Sequence, residues 1–162
     1  MDALTPQEID KAHERIFSLI IKTPLISSET INKKTNANVY FKLENLQWTG
    51  SFKLRGASNK ISQLSNEEKS RGIVSYSSGN HAQAVAYASK LFGVQATIIM
   101  PKNAPSIKIE NTKKYGADII FYDCKHENRE KISSEIARKE NKIIIKPYDD
   151  LDVIAGQGTV GK

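Results

Sequence analysis

Between Gly72 and Lys146, short apolar runs alternate with amphipathic segments of about a dozen residues. The runs predict strands at 73–76, 96–100, 118–122 and 142–146, and the segments between them predict helices at 82–92, 105–115 and 127–139. Gly93 and Gly116 stand where two of these helices should end, a common place for glycine. Strands that alternate with helices indicate right-handed crossovers. The pattern therefore predicts an α/β fold with an open parallel sheet of about four strands and flanking helices.

The N-terminal part of the chain, up to about residue 50, does not follow this alternation. Thr5 is a candidate N-cap with Pro6 at the first helical position, and apolar residues then recur at helical spacing as far as Ile20. A strand is predicted at 39–43 and a further helix at 57–64. This part is expected to belong to another layer or domain.

Composition indicates a soluble globular protein. The chain has 162 residues, of which 39% are hydrophobic and 26% charged, and no apolar run approaches the roughly 20 residues of a membrane span. The acidic start at Met1 to Ala3 is unlike a signal peptide. Cys124 is the only cysteine, which excludes an internal disulfide and a Cys/His metal cluster and fits a reducing cytoplasm. No metal site is predicted.

The net charge of +6 and the pI of about 9.3 raise a nucleic acid as an alternative partner. The lysines are scattered over helix-like segments, however, and they are not interleaved with aromatic residues. A solvated lysine-rich surface is therefore the preferred interpretation, with neither nucleic acid nor membrane as a partner.

A lysine with potential chemistry lies in the stretch from Thr49 to Gly56. The Gly50-Ser51 turn places Lys53 at the boundary of an element, beside the Phe52 ring. An amine that is partly desolvated there loses its proton more easily than one in water, and the neutral amine is the form that attacks a carbonyl. From spacing alone, an ordinary solvated lysine remains the alternative.

A second polar stretch, Ser77 to His81, follows the first predicted parallel strand. Ligands of open α/β sheets bind at the carboxyl ends of strands, where helix N-termini offer unpaired N–H groups. Two hydroxyls, an amide and an imidazole would suit a small carboxylate there. The alternative is that Ser78 or Asn80 only caps the helix.

The glycine-rich end, Gly156 to Lys162, partly matches the phosphate-binding pattern G-x-x-x-x-G-K. The Ser or Thr that should follow the lysine is absent, and residues 152–155 make a poor buried strand, so a nucleotide-binding loop is not favoured. A glycine-rich loop with no element after it suggests a chain that has been cut.

Three runs resemble fold-type II pyridoxal-phosphate enzymes, and among these most closely the threonine dehydratases and serine racemases: 47–56, 77–83 and 155–159. The likeness covers essentially the whole chain in the same order. It implies that residues 1–53 are the N-terminal portion of a large cofactor-binding domain. Residues 54–148 would be the small α/β domain, and 149–162 the return into a truncated large domain.

The resemblance also implies roles for individual residues. Lys53 would form a Schiff base with the aldehyde of pyridoxal 5'-phosphate, Phe52 would pack beside the pyridine ring, and Asn80 would bind the ring hydroxyl. The substrate carboxylate would be held by five neighbouring residues: Ser77, Ser78, Gly79, Asn80 and His81. The implied reaction is the deamination of L-threonine, and of L-serine, to a 2-oxo acid and ammonia by β-elimination. Ser78 as a second catalytic residue permits serine racemisation as the alternative.

In this family the phosphate-binding loop, and the cation site of some members, lie beyond the position of residue 162. We therefore expect this chain to bind the cofactor weakly and to be inactive by itself. A homo-oligomer is expected of the longer protein. A non-catalytic amino-acid-binding α/β module remains open as a second interpretation.

Overall fold

A computed structural model describes residues 4–162, so the acidic start at Met1 to Ala3 lies outside the described part. Its helices and strands, with two 3₁₀ turns (Glu44–Leu46 and Thr159–Gly161), follow in chain order. They are α1 (Pro6–Ile16), β1 (Leu25–Ser27), α2 (Glu29–Thr35), β2 (Tyr40–Lys42), α3 (Lys53–Ser62), α4 (Asn66–Arg71), β3 (Ile73–Tyr76), α5 (Asn80–Phe92), β4 (Ala96–Pro101), α6 (Ser106–Lys114), β5 (Asp118–Tyr122), α7 (Arg129–Glu140), β6 (Ile143–Ile145) and α8 (Leu151–Gly158).

The predicted parallel sheet is confirmed, with four strands in the order β5-β4-β3-β6. The chain first winds from β3 outward through β4 to β5, and it then returns to place β6 on the other side of β3. Strands β3 and β4 are buried along their whole length. Burial on both faces explains why they appear in the sequence as continuous apolar runs without alternation.

The main core lies between the sheet and helices α3 and α5. Helix α5 contributes mainly small residues, including Ala82, Ala84 and Ala88, all completely buried. Small side chains let α3 approach closely and place Leu54 and Ile61 against α5. A smaller core around Val74, on the opposite face, is covered by α7.

The N-terminal part forms a separate two-stranded sheet. Strands β1 and β2 are antiparallel, with Leu25 opposite Lys42 and Ser27 opposite Tyr40. Leu25 is 62% exposed and Tyr40 63% exposed, so this sheet carries apolar side chains in solvent. The expectation that this part leaves the alternating pattern is confirmed, whereas its division into domains stays a prediction.

Several element boundaries were predicted wrongly. Helix α1 ends at Ile16, not at Ile20, because a turn with Leu19 N–H donating to the Ile16 carbonyl redirects the chain so that Ile20 packs on the main core. Helix α3 begins at Lys53, four positions before the predicted start at 57, so Gly56 lies within a helix. Three short elements (β1, α2 and α4) were not predicted, although α4 begins with a Ser65–Glu68 capping box that the sequence shows.

The predicted glycine-rich loop from Gly156 to Lys162 is also wrong, because residues 156–161 are helical. A Cβ built on Gly156 would lie 2.6 Å from the Arg55 carbonyl oxygen and 2.7 Å from the Gly56 Cα. The glycine therefore serves the contact of α8 with α3, and the interpretation as a nucleotide-binding loop is excluded.

This contact predicts that Gly156→Ala destabilises the protein. The added methyl group must push apart the backbones of α3 and α8, and this cost exceeds the stabilisation from the higher helix propensity of alanine. We expect the free energy of unfolding to fall by about 2 kcal/mol. Chemical denaturation measures it. Gly161→Ala is the matched control, because a Cβ there meets no atom within 4 Å. Equal stability of the two variants would contradict the packing role of Gly156.

Candidate active site

Lys53 is the first residue of α3, at an element boundary as predicted. The turn before it uses Gly50 at a φ of +70°, a conformation that other residues adopt at a cost. The Lys53 Nζ donates a hydrogen bond to the Pro147 carbonyl oxygen at 2.9 Å and lies 5.4 Å from the centre of the Phe52 ring. The amine is thus held between the start of α3 and the loop after β6.

The surroundings of Lys53 make its amine easier to deprotonate than a lysine in water. Partial burial lowers the pKa of Lys53, because the charged form loses hydration. Within residues 4–162, no carboxylate forms an ion pair with Lys53 that would offset this loss. A half-buried lysine with a lowered pKa and no counter-ion has the properties of a nucleophile.

The Ser77–His81 loop connects β3 to α5 at the carboxyl edge of the sheet. The Ser77 hydroxyl accepts the Gly79 N–H at 3.2 Å, and Ser78 is exposed. Gly79 is the N-cap of α5, and no side chain caps that helix start. The alternative that Ser78 or Asn80 serves as the cap is therefore wrong. The first N–H groups of a 13-residue helix remain available to an anion.

Asn80 and His81 occupy different environments. Asn80 is exposed, and its Oδ1 accepts a hydrogen bond from Lys108 Nζ at 2.7 Å. His81 is only 3% exposed, and neither ring nitrogen has a hydrogen-bond partner. Burial and the nearby Lys53 charge lower the pKa of His81 to about 4, and the neighbouring Ile145 carbonyl, which lies outside hydrogen-bond geometry, opposes this fall. The imidazole is therefore neutral at physiological pH.

Sheet topology explains why the two predicted motifs come together. Strand β6 lies beside β3, with Ser75 opposite Ile145, so the loops that follow the two strands are neighbours. The loop after β3 leads directly to His81 in α5. The loop after β6 contains Pro147, whose carbonyl oxygen accepts a hydrogen bond from Lys53. The winding direction reverses between β3 and β6, and this is the place where open α/β sheets form ligand crevices.

Sequence reasoning missed four side chains near these loops. Tyr148 donates its hydroxyl to Glu130 Oε1 at 3.0 Å, and the Arg129 guanidinium lies 5.4 Å from the centre of the Tyr76 ring. Tyr76 is the last residue of β3, and Tyr148 follows β6. Their positions at the ends of apolar strands could have marked them as candidate site residues. No sequence pattern distinguished Arg129 from the other charged residues of α7, which begins at this residue.

Other kinds of site find no support in the described residues. In 4–162, no cluster of three His, Cys, Asp or Glu side chains could hold a metal ion. The described helices are all too short or too polar to cross a membrane.

A family profile described as pyridoxal-phosphate-dependent enzyme matches residues 16–162, nearly the whole chain. The chain belongs to the fold-type II pyridoxal-phosphate-dependent enzymes. Within this family it is similar to both threonine dehydratases and serine racemases, as the motifs around Lys53 and Ser77 predicted.

Three relatives of this pyridoxal-phosphate family member illustrate the similarity. Serine racemase of Schizosaccharomyces pombe is 47% identical over 98% of this chain and 49% of its own length. L-threo-3-hydroxyaspartate ammonia-lyase of Saccharomyces cerevisiae is 48% identical over 93% of this chain and 46% of its own. L-threonine dehydratase catabolic TdcB of Staphylococcus aureus is 48% identical over 95% and 45%.

The solved structure of maize serine racemase superposes with a TM-score of 0.91 and 44% identity, covering 95% of this chain and 47% of that one. The chain therefore spans about half the length of the relatives it matches. The fold and the dependence of the family on pyridoxal phosphate are established by these similarities.

The residues present fit the aldehyde and ring end of pyridoxal phosphate. Lys53 offers an amine without a counter-ion, and Phe52 offers a ring that is 41% exposed beside it. The buried hydroxyls of Thr49 and Ser51 and both nitrogens of His81 have no protein partner. Unsatisfied buried polar atoms close to Lys53 are expected where a polar ligand binds.

The buried His81 predicts a characteristic pH dependence of stability. Because its pKa falls from the usual 6.5 to about 4 on folding, its contribution is fully present above pH 6.5 and is lost as the pH falls toward 4. The loss amounts to roughly 3 kcal/mol. Denaturation curves between pH 4 and 7 should show a flatter pH dependence for His81→Gln.

The exposed His126 provides the control for this prediction. His126→Gln should keep the pH dependence of the wild type, because an exposed imidazole changes its environment little on unfolding. If His81→Gln lost stability in parallel with the wild type over this range, His81 would not be the buried neutral group described above.

Proposed function

We propose that this chain is part of an enzyme that deaminates L-threonine, and L-serine, to a 2-oxo acid and ammonia by β-elimination with pyridoxal phosphate. The observation that supports this proposal is the Lys53 amine, which has no counter-ion in the described residues and lies near His81 and the Pro147 carbonyl, at the carboxyl ends of β3 and β6. Relatives named as a threonine dehydratase and a hydroxyaspartate ammonia-lyase support an elimination.

Lys53 binds the cofactor aldehyde covalently in this proposal, and Phe52 packs beside the ring. The lowered pKa of Lys53 increases the fraction of neutral amine that can attack a carbonyl. The Pro147 carbonyl keeps the amine at the crevice before it reacts. Asn80 donates to the ring hydroxyl oxygen.

The substrate carboxylate binds at the start of α5. Ser77, Ser78, Asn80 and His81 supply side-chain donors, and the free N–H groups around Gly79 supply backbone donors. A neutral His81 still carries one N–H to donate, and its other nitrogen can accept. When bound, the cofactor supplies an electron sink for the α-carbanion.

Lys53 has a second task once the substrate amine has replaced it. Its amine, next to the carboxylate site, would take the proton from the substrate α-carbon as a general base. With the cofactor bound, the β-hydroxyl would leave as water, and the products would be the 2-oxo acid and ammonia.

Serine racemisation is the second candidate, supported by the similarity to serine racemases. Ser78 is exposed in the loop, and its hydroxyl makes no hydrogen bond to another described residue. It would exchange a proton with the α-carbon on the face opposite Lys53. Dehydratase activity is the preferred candidate because elimination needs only one residue, Lys53, to remove the α-proton, whereas racemisation also needs Ser78.

The proposed protein context follows the relatives, which are about twice as long. Residues 1–53 belong to a large domain, 54–148 form the small domain, and 149–162 return to the large one. The phosphate-binding loop would come from the remainder of that domain. We further propose a cytoplasmic homo-oligomer that acts on a small amino acid and binds no nucleic acid.

Borohydride trapping with pyridoxal phosphate tests the role of Lys53. We expect peptide mass spectrometry to find the strongest label on Lys53, because its lowered pKa and the adjacent ring favour bond formation there. Lys53→Ala should abolish the dominant label. Lys125→Ala, at an exposed site, should leave it unchanged. Uniform labelling of all lysines would contradict a specific cofactor site.

A second prediction concerns turnover by this chain alone. Each missing charge-assisted contact to the cofactor phosphate removes about 1.5–3 kcal/mol, which weakens binding roughly tenfold or more. We therefore expect weak cofactor binding and little or no release of 2-oxo acid from L-threonine or either serine enantiomer. Robust release of 2-oxo acid would show that residues 1–162 already form a complete site. Binding of amino acids by calorimetry without turnover would instead favour a binding module.

A further inference from the structure

We infer that Lys108 is a positioning residue that fixes the orientation of the Asn80 side-chain amide toward the cofactor site. The inference rests on the proposed function, in which Asn80 donates to an oxygen of the bound ring. Lys108 lies in the first turn of α6 and does not belong to any sequence motif described above. Its Nζ is 2.7 Å from the Asn80 Oδ1.

The chemistry of the two groups makes this contact directional. A side-chain amide has an acceptor end and a donor end of nearly equal size, so it can rotate by half a turn at little steric cost. An ammonium group has donors only and can bind only the carbonyl end. Lys108 therefore selects the orientation in which the Asn80 NH₂ group is left for another partner.

Nothing else in the described chain competes for either group. No hydrogen bond from the Asn80 NH₂ group reaches another residue within 4–162, and Lys108 forms no ion pair there. The Lys108 charge also polarises the amide, which makes its N–H groups stronger donors. A free, polarised NH₂ group at the mouth of the crevice suits an anionic oxygen such as that of the deprotonated ring hydroxyl.

A second contact fixes the relative position of the two helices. Three residues further along each helix, Asn111 Nδ2 donates to Gln83 Oε1 at 2.9 Å. Gln83 is 2% exposed, so this pair is anchored in the interface of α5 and α6. The spacing of three residues puts both pairs on the sides of α5 and α6 that face each other. The packing of the two helices therefore holds Lys108 close to Asn80.

The first test needs no cofactor. In ¹⁵N-labelled protein, Lys108→Met should shift the side-chain NH₂ resonances of Asn80, because the neutral thioether keeps an unbranched side chain one atom shorter but removes the charge and the donors. Lys113→Met, on the exposed part of the same helix, should leave them unchanged. Unchanged Asn80 resonances in Lys108→Met would overturn the inference.

The second test measures affinity for pyridoxal phosphate by fluorescence. Loss of orientation should weaken binding about 3- to 10-fold in Lys108→Met, whereas Lys108→Arg, which also has donors only, should retain the wild-type affinity. Asn80→Ala should weaken binding at least as much as Lys108→Met.

The outcomes separate this inference from the proposed function. If Asn80→Ala weakens binding and Lys108→Met does not, Lys108 has no positioning role, although the cofactor site stands. If neither variant changes the affinity of a chain that binds the cofactor, the proposed contact of Asn80 is wrong, and the inference falls with it. A chain without any affinity for pyridoxal phosphate contradicts both.

Discussion

The buried ion pair between Arg55 and Glu44 holds the N-terminal part of the chain, α3 and the C-terminal turn together. Arg55 binds both carboxylate oxygens of Glu44, at 2.9 and 2.7 Å, and also donates to the Thr159 carbonyl at 3.3 Å. Burial alone would raise the pKa of Glu44, but the hydrogen bonds from Arg55 and Thr23 outweigh it and lower the pKa. Removing one partner of such a pair costs about 3–5 kcal/mol, since the other charge stays buried.

This constraint has a direct consequence for the candidate active site. Arg55 lies two positions after Lys53 in the same helix, so the pair that fixes Arg55 also fixes the start of α3. At the next residue, the contact of Gly56 with Gly156 brings the backbones of α3 and α8 together. A nucleophilic lysine needs a defined position, because small displacements lower reactivity steeply. The base of the lysine is anchored by a charge pair and a backbone contact, and its amine is held by the Pro147 carbonyl.

The sequence predicted those parts of the fold in which local pattern and tertiary role agree. Strands β3 and β5 were predicted with their observed bounds because short apolar runs with flanking turns mark them. The start of α3 was missed because Gly56 is a poor helix former, and its role is a contact with α8 that no local pattern shows. The motifs located Lys53 and Ser77–His81, but they could not show Lys108, because the partner it serves lies 28 residues away in sequence.

The electrostatics of the crevice decide which ligands it can accept. Lys53 has no carboxylate partner in the described chain, and His81 beside it is neutral because burial and the Lys53 charge both disfavour a second cation. A carboxylate entering this crevice meets hydroxyls, helix N–H groups and an imidazole that need no proton exchange to receive it. A charged His81 would raise the affinity for the carboxylate, but it would also disfavour a charged Lys53. A neutral His81 therefore leaves Lys53 as the only cation of this pair.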